Sequence, residues 1–272
     1  MLYDMHCHLD FADDGVAIAR REAGRIAAFS ATVDPASAAA AQDAFGCCAD
    51  VRIGWGLHPW QASSPDFPAS IGEFVRQAPR HAFIGEVGLD FSAKHAATRA
   101  AQVEAFDRVV EACLVAPDAS SSGEGASAGG IVSIHAVHAA DEVLDTLGRF
   151  GVLDGRARSR GAYAAGRAVV IHSFNGTSDQ LTRAIRSGLF FSVGPRMLAS
   201  KRGRAYARAI PAHRLLLETD MPSAQGASFS FEAHVSALEG AAKDLAAARG
   251  EDEAFLLDCI AETSRSLLGT KR

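Results

Sequence analysis

His6 and His8 stand two residues apart at the end of an apolar run that starts at Met1. Alternate strand residues share a face, so both imidazoles can reach one ion while Cys7 points elsewhere. Glu86 lies in Ile84-Gly85-Glu86-Val87-Gly88-Leu89-Asp90, flanked by glycines that permit tight turns or close backbone approach. An unpaired carboxylate among apolar residues is costly to bury. Glu86 therefore either bridges two cations, which removes the cost, or caps a helix beyond the strand. His135 closes Ile131-Val132-Ser133-Ile134, His172 closes Ala168-Val169-Val170-Ile171, and Asp220 follows Leu215-Leu216-Leu217-Glu218-Thr219. Each histidine taken alone reads better as a hydrogen-bonded core residue than as a ligand. Together His6, His8, Glu86, His135, His172 and Asp220 point to a metal centre, and a His-rich set with two carboxylates suits zinc or another divalent transition metal better than calcium.

These residues need elements that deliver them to one place. Apolar, partly β-branched runs occupy 1–6, 26–32, 51–57, 83–87, 131–136, 168–173, 189–193 and 215–219. Between them lie helical spacings: Ile71, Phe74 and Val75; Val103, Phe106, Val109 and Val110; Val143, Leu144 and Leu147; Leu181 and Ile185; Val235, Leu238, Ala242 and Leu245. Near-continuous apolar strands alternating with amphipathic helices predict an α/β fold with a parallel sheet covered on its outer face. Eight strands predict a TIM-like (β/α)8 barrel, and 272 residues suit one such domain over 1–272. Active sites of that fold gather at the carboxyl ends of the strands, where the six ligand-type residues fall.

Composition narrows the class. With 48% hydrophobic residues the chain can bury a large core. No apolar run approaches the roughly 20 residues of a membrane span, and no basic region precedes a hydrophobic stretch at the start, so neither membrane nor secretion is expected. Five cysteines without a CxxC pattern or disulfide framework make a reducing cytoplasm the expected location. A net charge of −5 excludes a generally basic nucleic-acid binder, so any such contact must be local. The Ser/Gly-rich stretch 117–130 and the Gly/Ala/Arg-rich stretch 154–167 both precede strands. They are expected on the far face of the barrel, with Arg156, Arg158, Arg160 and Arg167 serving surface solubility.

The chain resembles the TatD-type metal-dependent deoxyribonucleases of the amidohydrolase superfamily nearly from end to end. The resemblance rests on His6-Cys7-His8-Leu9-Asp10, Gly56-Leu57-His58-Pro59-Trp60, Gly85-Glu86-Val87-Gly88-Leu89-Asp90, Ile134-His135, His172-Ser173-Phe174-Asn175-Gly176, Ser192-Val193-Gly194-Pro195 and Leu217-Glu218-Thr219-Asp220-Met221-Pro222. It implies a two-metal hydrolase, with His6, His8, Glu86 and Asp220 around one ion and Glu86, His135 and His172 around the other. Where many amidohydrolases use a modified lysine as the bridge, Glu86 takes that place. The implied cofactors are two divalent cations, Zn, Mg or Mn, and the implied substrate is DNA, cut from a strand end with a metal-bound hydroxide. No obligatory protein partner is implied. Two departures bear on substrate: His135-Ala136-Val137-His138 lacks the Arg and acidic residue often found there, and Thr263-Ser264-Arg265-Ser266-Leu267-Leu268-Gly269 lacks a common Asn.

Metal binding can lower the pKa of water from about 15.7 to about 7, so no serine nucleophile is required. Asp220 is the candidate proton acceptor, with Glu218 two residues earlier either assisting or simply hydrogen-bonded in the core. His58 is expected beside the centre, donating to phosphate or fixing its turn. Trp60 either stacks a base or packs beneath its loop. Arg196, Lys201, Arg202 and Arg204 form either a phosphate-contacting patch or the solvated side of a helix. A metal-dependent esterase or amidohydrolase, such as an aminoacyl-tRNA deacylase, and a non-catalytic metal-binding scaffold are the alternatives.

Overall fold

The computed structural model describes residues 1–115, 130–153 and 167–270. Nine parallel strands run β1 (Leu2–Cys7), β2 (Ile26–Ser30), β3 (Val51–Ile53), β4 (Trp55–Leu57), β5 (Phe83–Asp90), β6 (Ile131–Val137), β7 (Ala168–His172), β8 (Phe190–Val193) and β9 (Leu215–Leu217) among the described residues. The fold is a TIM barrel. Its hydrogen-bonded ladders form two arcs, β1-β2-β3 and β4 through β9 in order.

The expected third strand, 51–57, is broken at Gly54, and its halves belong to different arcs. A Cβ on Gly54 would lie 2.5 Å from the Gly85 carbonyl oxygen and 2.7 Å from the Phe29 ring. Only a bare backbone fits where these strands converge. Thr32 stitches the gap: its N–H donates to Gly85 O, its carbonyl accepts from Glu86 N, and its hydroxyl donates to Gly54 O. At the other seam Asp220 N donates to His6 O (2.9 Å) and His8 N to Met221 O (2.8 Å).

The helices cover the outer face as their spacing predicts. They include α1 (Gly15–Glu22), α2 (Pro35–Phe45), α3 (Phe67–Gln77), α4 (Arg99–Val110), α5 (Ala140–Arg149), α6 (Ser178–Arg186), α7 (Pro195–Leu198), α8 (Lys201–Ala209), α9 (Phe231–Arg249) and α10 (Glu253–Leu268). Asp34 begins α2 with a capping box closed by Ser37 and with Pro35 in the first turn; Thr177 and Gln180 do the same for α6. Phe74, Phe106, Leu144, Leu147, Leu181, Leu238 and Leu245 fill the layer between helices and strands. Tyr3, Met5, Phe29, Ile131, Val170 and Leu216 form a separate cluster drawn from the strands. No helix among the described residues is long and apolar enough to cross a membrane.

Most of 117–130 and 154–167, including Arg156, Arg158 and Arg160, lies outside the described residues. Arg167 departs from its expected surface role. It is 5% exposed and donates to the carbonyls of Cys113 (2.7 Å), Ala78 and His81, tying the start of β7 to the segments 78–81 and 111–115.

Candidate active site

Glu86 lies within β5, which continues past the expected run 83–87 to Asp90. The β5–β6 register shifts between Ile84 and Val87, and the β1–β2 register between Asp4 and Cys7. These irregularities fall at Glu86 and His6. Gly88 completes the local geometry: with φ +139°, a Cβ there would lie 2.1 Å from the His135 carbonyl oxygen, so a side chain would drive β5 off β6. His135 likewise lies inside β6, which runs on to Val137.

Glu86 is buried and divides its two oxygens between two groups of ligand-type atoms. Oε2 lies 3.5 Å from the Nε2 atoms of both His6 and His8. Asp220 Oδ1 completes that group, 3.9 Å from His6 Nε2 and 3.4 Å from His8 Nε2. Oε1 lies 2.6 Å from His135 Nδ1, 2.8 Å from His172 Nε2 and 3.3 Å from His58 Nε2. Ligand atoms about 2.0–2.1 Å from one tetrahedral ion sit about 3.3 Å apart, so both groups have the span of a metal site. The sets His6/His8/Glu86, His6/His172/Asp220 and His58/Glu86/His135 each converge within 4.8 Å.

Partners outside the groups fix the rings. His6 Nδ1 is 2.8 Å from the Ser133 hydroxyl, and His8 Nδ1 donates to the Ala31 carbonyl at 2.9 Å. Both hydrogen bonds aim Nε2 at Glu86. His6 stacks on His172 at 4.0 Å, and Phe11 stacks on His8 at 4.8 Å. His6 Nε2 is buried without a hydrogen-bond partner among the described residues. Asp220 has φ +56°, a left-handed conformation that Asp tolerates better than most residues.

Burial and neighbouring charge shape the protonation of these side chains. Burial, with His172 beside it, pushes His6 down to about 4. Burial opposes ionisation of Glu86, yet His58, His172 and His135 hold it well below the usual carboxylate range. Burial raises Glu218 to about 8.

The six expected ligand residues thus come together, and His58 joins them more closely than a neighbouring role requires. The sequence reading also places Glu218 near the proton acceptor. In the fold it sits behind His172, accepting from the Ser192 hydroxyl, with Oε2 3.7 Å from His172 Nδ1. Trp60 is 46% exposed on the wall of a cavity of about 440 Å³ that also exposes His8, Glu86, His135, His172 and Asp220. Its indole donates to Asp90 Oδ2 at 2.7 Å. Arg196 lines the same cavity and pairs with Asp220 Oδ2 at 3.0 Å. Lys201, Arg202 and Arg204 do not line it: all three are exposed on α8, and Arg204 donates to the Leu198 and Ala199 carbonyls.

Sequence reasoning passed over Ser133 and Asp90. Ser133 precedes His135 by two on β6, and Asp90 follows Glu86 by four on β5. Period-two alternation was the available signal for both. Asp4 and His234 were also passed over, and no local pattern marks them.

Comparison with known proteins accords with this geometry. A mouse protein named a putative deoxyribonuclease TATDN3 is 25% identical over 237 residues, covering 82% of this chain and 73% of its own. A 3'-5' ssDNA/RNA exonuclease TatD of Edwardsiella piscicida is 30% identical over 172 residues, covering 61% of this chain. The chain spans 56% of that enzyme's length. Among solved structures, a TatD homologue from Escherichia coli superposes with TM-score 0.70 and 19% identity, covering 99% of this chain and 98% of its own. An uncharacterized amidohydrolase from Saccharomyces cerevisiae gives 0.69 at 19% identity, with 98% and 99% covered. The model of the family described as TatD related DNase matches residues 3–269, so nearly every strand and ligand-type side chain described above falls within one continuous match, and the chain belongs to the TatD-related DNase family.

Proposed function

We propose that residues 1–272 act as one catalytic unit, a metal-dependent hydrolase that cleaves phosphodiester bonds of DNA from a strand end. The carrying observation is the division of Glu86, one oxygen toward His6, His8 and Asp220 and the other toward His135 and His172. The donors fit divalent ions: buried imidazoles and carboxylates converge, and His6 Nε2 is aimed at them without another partner among the described residues. His6, His8, Glu86 and Asp220 would hold one ion, and Glu86, His135 and His172 the other, with His58 beside it. Four to five imidazoles favour zinc over magnesium, with manganese also accommodated. Such ions would neutralise phosphoryl charge and make a water acidic enough to attack near neutral pH.

The chain's own groups supply the rest. Asp220 Oδ2 faces the cavity and accepts the proton of the attacking water. Arg196, paired with Asp220, moves to a phosphate oxygen when one enters. Trp60, anchored through its indole N–H, offers a face on which a base stacks. Glu218 and Ser192 hold the His172 side of the cluster. The five free cysteines support residence in a reducing compartment.

End-labelled single- and double-stranded DNA, incubated with the protein and Zn²⁺, Mg²⁺ or Mn²⁺, tests this. Stepwise shortening from one end is expected, abolished by chelator and by His6→Ala/His8→Ala, while charged transfer RNA stays intact. Cleavage that survives the double substitution or the chelator would refute the assignment.

A further inference from the structure

We propose that Asp4, His234, Glu22 and Thr219 form a positioning network that holds His6 and Asp220 at the spacing their metal site requires. The inference rests on the metal reading above but not on the identity of the substrate. Asp4 accepts four hydrogen bonds: Oδ1 from the N–H of His6 (3.1 Å) and of Thr219 (3.2 Å), Oδ2 from the Thr219 hydroxyl (2.5 Å) and His234 Nε2 (2.7 Å). His234 Nδ1 in turn donates to Glu22 Oε1 at 2.6 Å. Asp4 and His234 are 0% exposed, Glu22 2% and Thr219 5%.

The four residues come from four different pieces of chain. Asp4 is on β1, Glu22 ends α1, His234 is in the first turn of α9, and Thr219 lies past the end of β9. Beyond Leu217 the regular β8–β9 pairing ends and only single backbone bonds remain, Glu218 N to Val193 O on one side and Asp220 N to His6 O on the other, yet this is where Asp220 must be delivered. One carboxylate grips the backbone immediately before Asp220 and the backbone of His6 itself. The pair Asp220 N to His6 O and His8 N to Met221 O closes the same seam on the side of the cavity. Asp4, Cys7 and His234 also lie close enough to suggest a separate ion site. An ionised carboxylate offers about four acceptor positions, and all four of Asp4's are taken, so it is a clamp rather than a ligand. Its geometry sets ligand spacing from the outside, the role that partners behind metal ligands generally perform.

The test titrates metal-free protein with Co²⁺, following visible d–d absorption, and measures the thermal midpoint of each metal-free variant. Thr219→Val removes the hydroxyl with little change of shape, Thr219→Ser retains it, and His234→Gln keeps a donor to Asp4 but not the bond to Glu22. We expect Thr219→Val and His234→Gln to bind cobalt about 10–100-fold more weakly with an altered spectrum. Thr219→Ser should restore both. Asp4→Asn should weaken binding as well; if it does not fold, the Thr219 pair decides. Valine and glutamine variants that are less stable but keep the cobalt affinity and spectrum would overturn the proposal, as would failure of both to fold. Absence of cobalt binding by the unaltered chain would instead overturn the metal centre itself, and this inference with it.

Discussion

Glu86 carries the densest set of contacts in the site, and its substitution is the sharpest test at the residue scale. Glu86→Gln leaves the shape but replaces one ligand oxygen with an amide nitrogen that cannot serve either histidine group. Metal-dependent cleavage should fall by more than about 100-fold, beyond the cost of losing a partner behind a ligand. Metal content per chain, measured alongside activity, should fall with it. Trp60→Ala belongs to the same scale and should behave differently. Stacking contributes about 1–3 kcal/mol per base, so KM for single-stranded DNA should rise roughly 5–150-fold while bound metal is unchanged. An unchanged KM would assign the half-exposed indole to the loop alone. The sequence identified both residues because each lies in a short segment with a distinctive neighbour pattern. It could not see that Asp4 leaves the face of His6 and His8, because the register shift between Asp4 and Cys7 breaks period-two alternation just there.

Strands and helices set where those side chains arrive. The helices were legible from apolar spacing, since Phe106, Val109 and Val110, or Val143, Leu144 and Leu147, fall on the side that packs against the core. Strand limits were less so. The run 51–57 looks continuous because Val51, Ile53, Trp55 and Leu57 alternate, but Gly54 is where the two arcs part. Crowding at that point is a long-range fact: the atoms in the way belong to Phe29 and Gly85. Gly54→Ala should therefore cost about 1–3 kcal/mol of stability through overpacking. A thermal midpoint lower by roughly 2–10 °C in the metal-free protein is the expected reading. A neutral alanine would mean that the seam can relax.

Across the whole molecule, burial converts one histidine into a pH-dependent contributor to stability. Burial disfavours the charged form of His234, but its hydrogen bonds to Asp4 and Glu22 outweigh that and raise it to about 9. The folded value lies above the unfolded value near 6.5, so this stabilisation is complete below about 6.5 and disappears as pH rises through about 9. Metal-free protein should lose thermal stability between pH 6.5 and 10. His8 and His135, raised to about 8 and about 9, add to the same slope, so the difference between the unaltered chain and His234→Gln isolates the His234 share. Equal slopes for the two proteins would place the dependence elsewhere.

The linear order of residues by itself determined the α/β alternation, the barrel, and the six side chains with ligand chemistry. It could do so because strand and helix periods are local, and because the ligands sit at or near the ends of apolar runs. Folding alone decided how Glu86 divides its oxygens, how closely His58 approaches, that Lys201, Arg202 and Arg204 stay off the cavity wall, and that Arg167 is buried. Each depends on contacts between residues far apart in the chain: Glu86 meets His135 across 49 positions, and Asp4 meets His234 across 230. Local patterns specify which face a side chain occupies. Close packing and the need to pair every buried charge specify what it meets there.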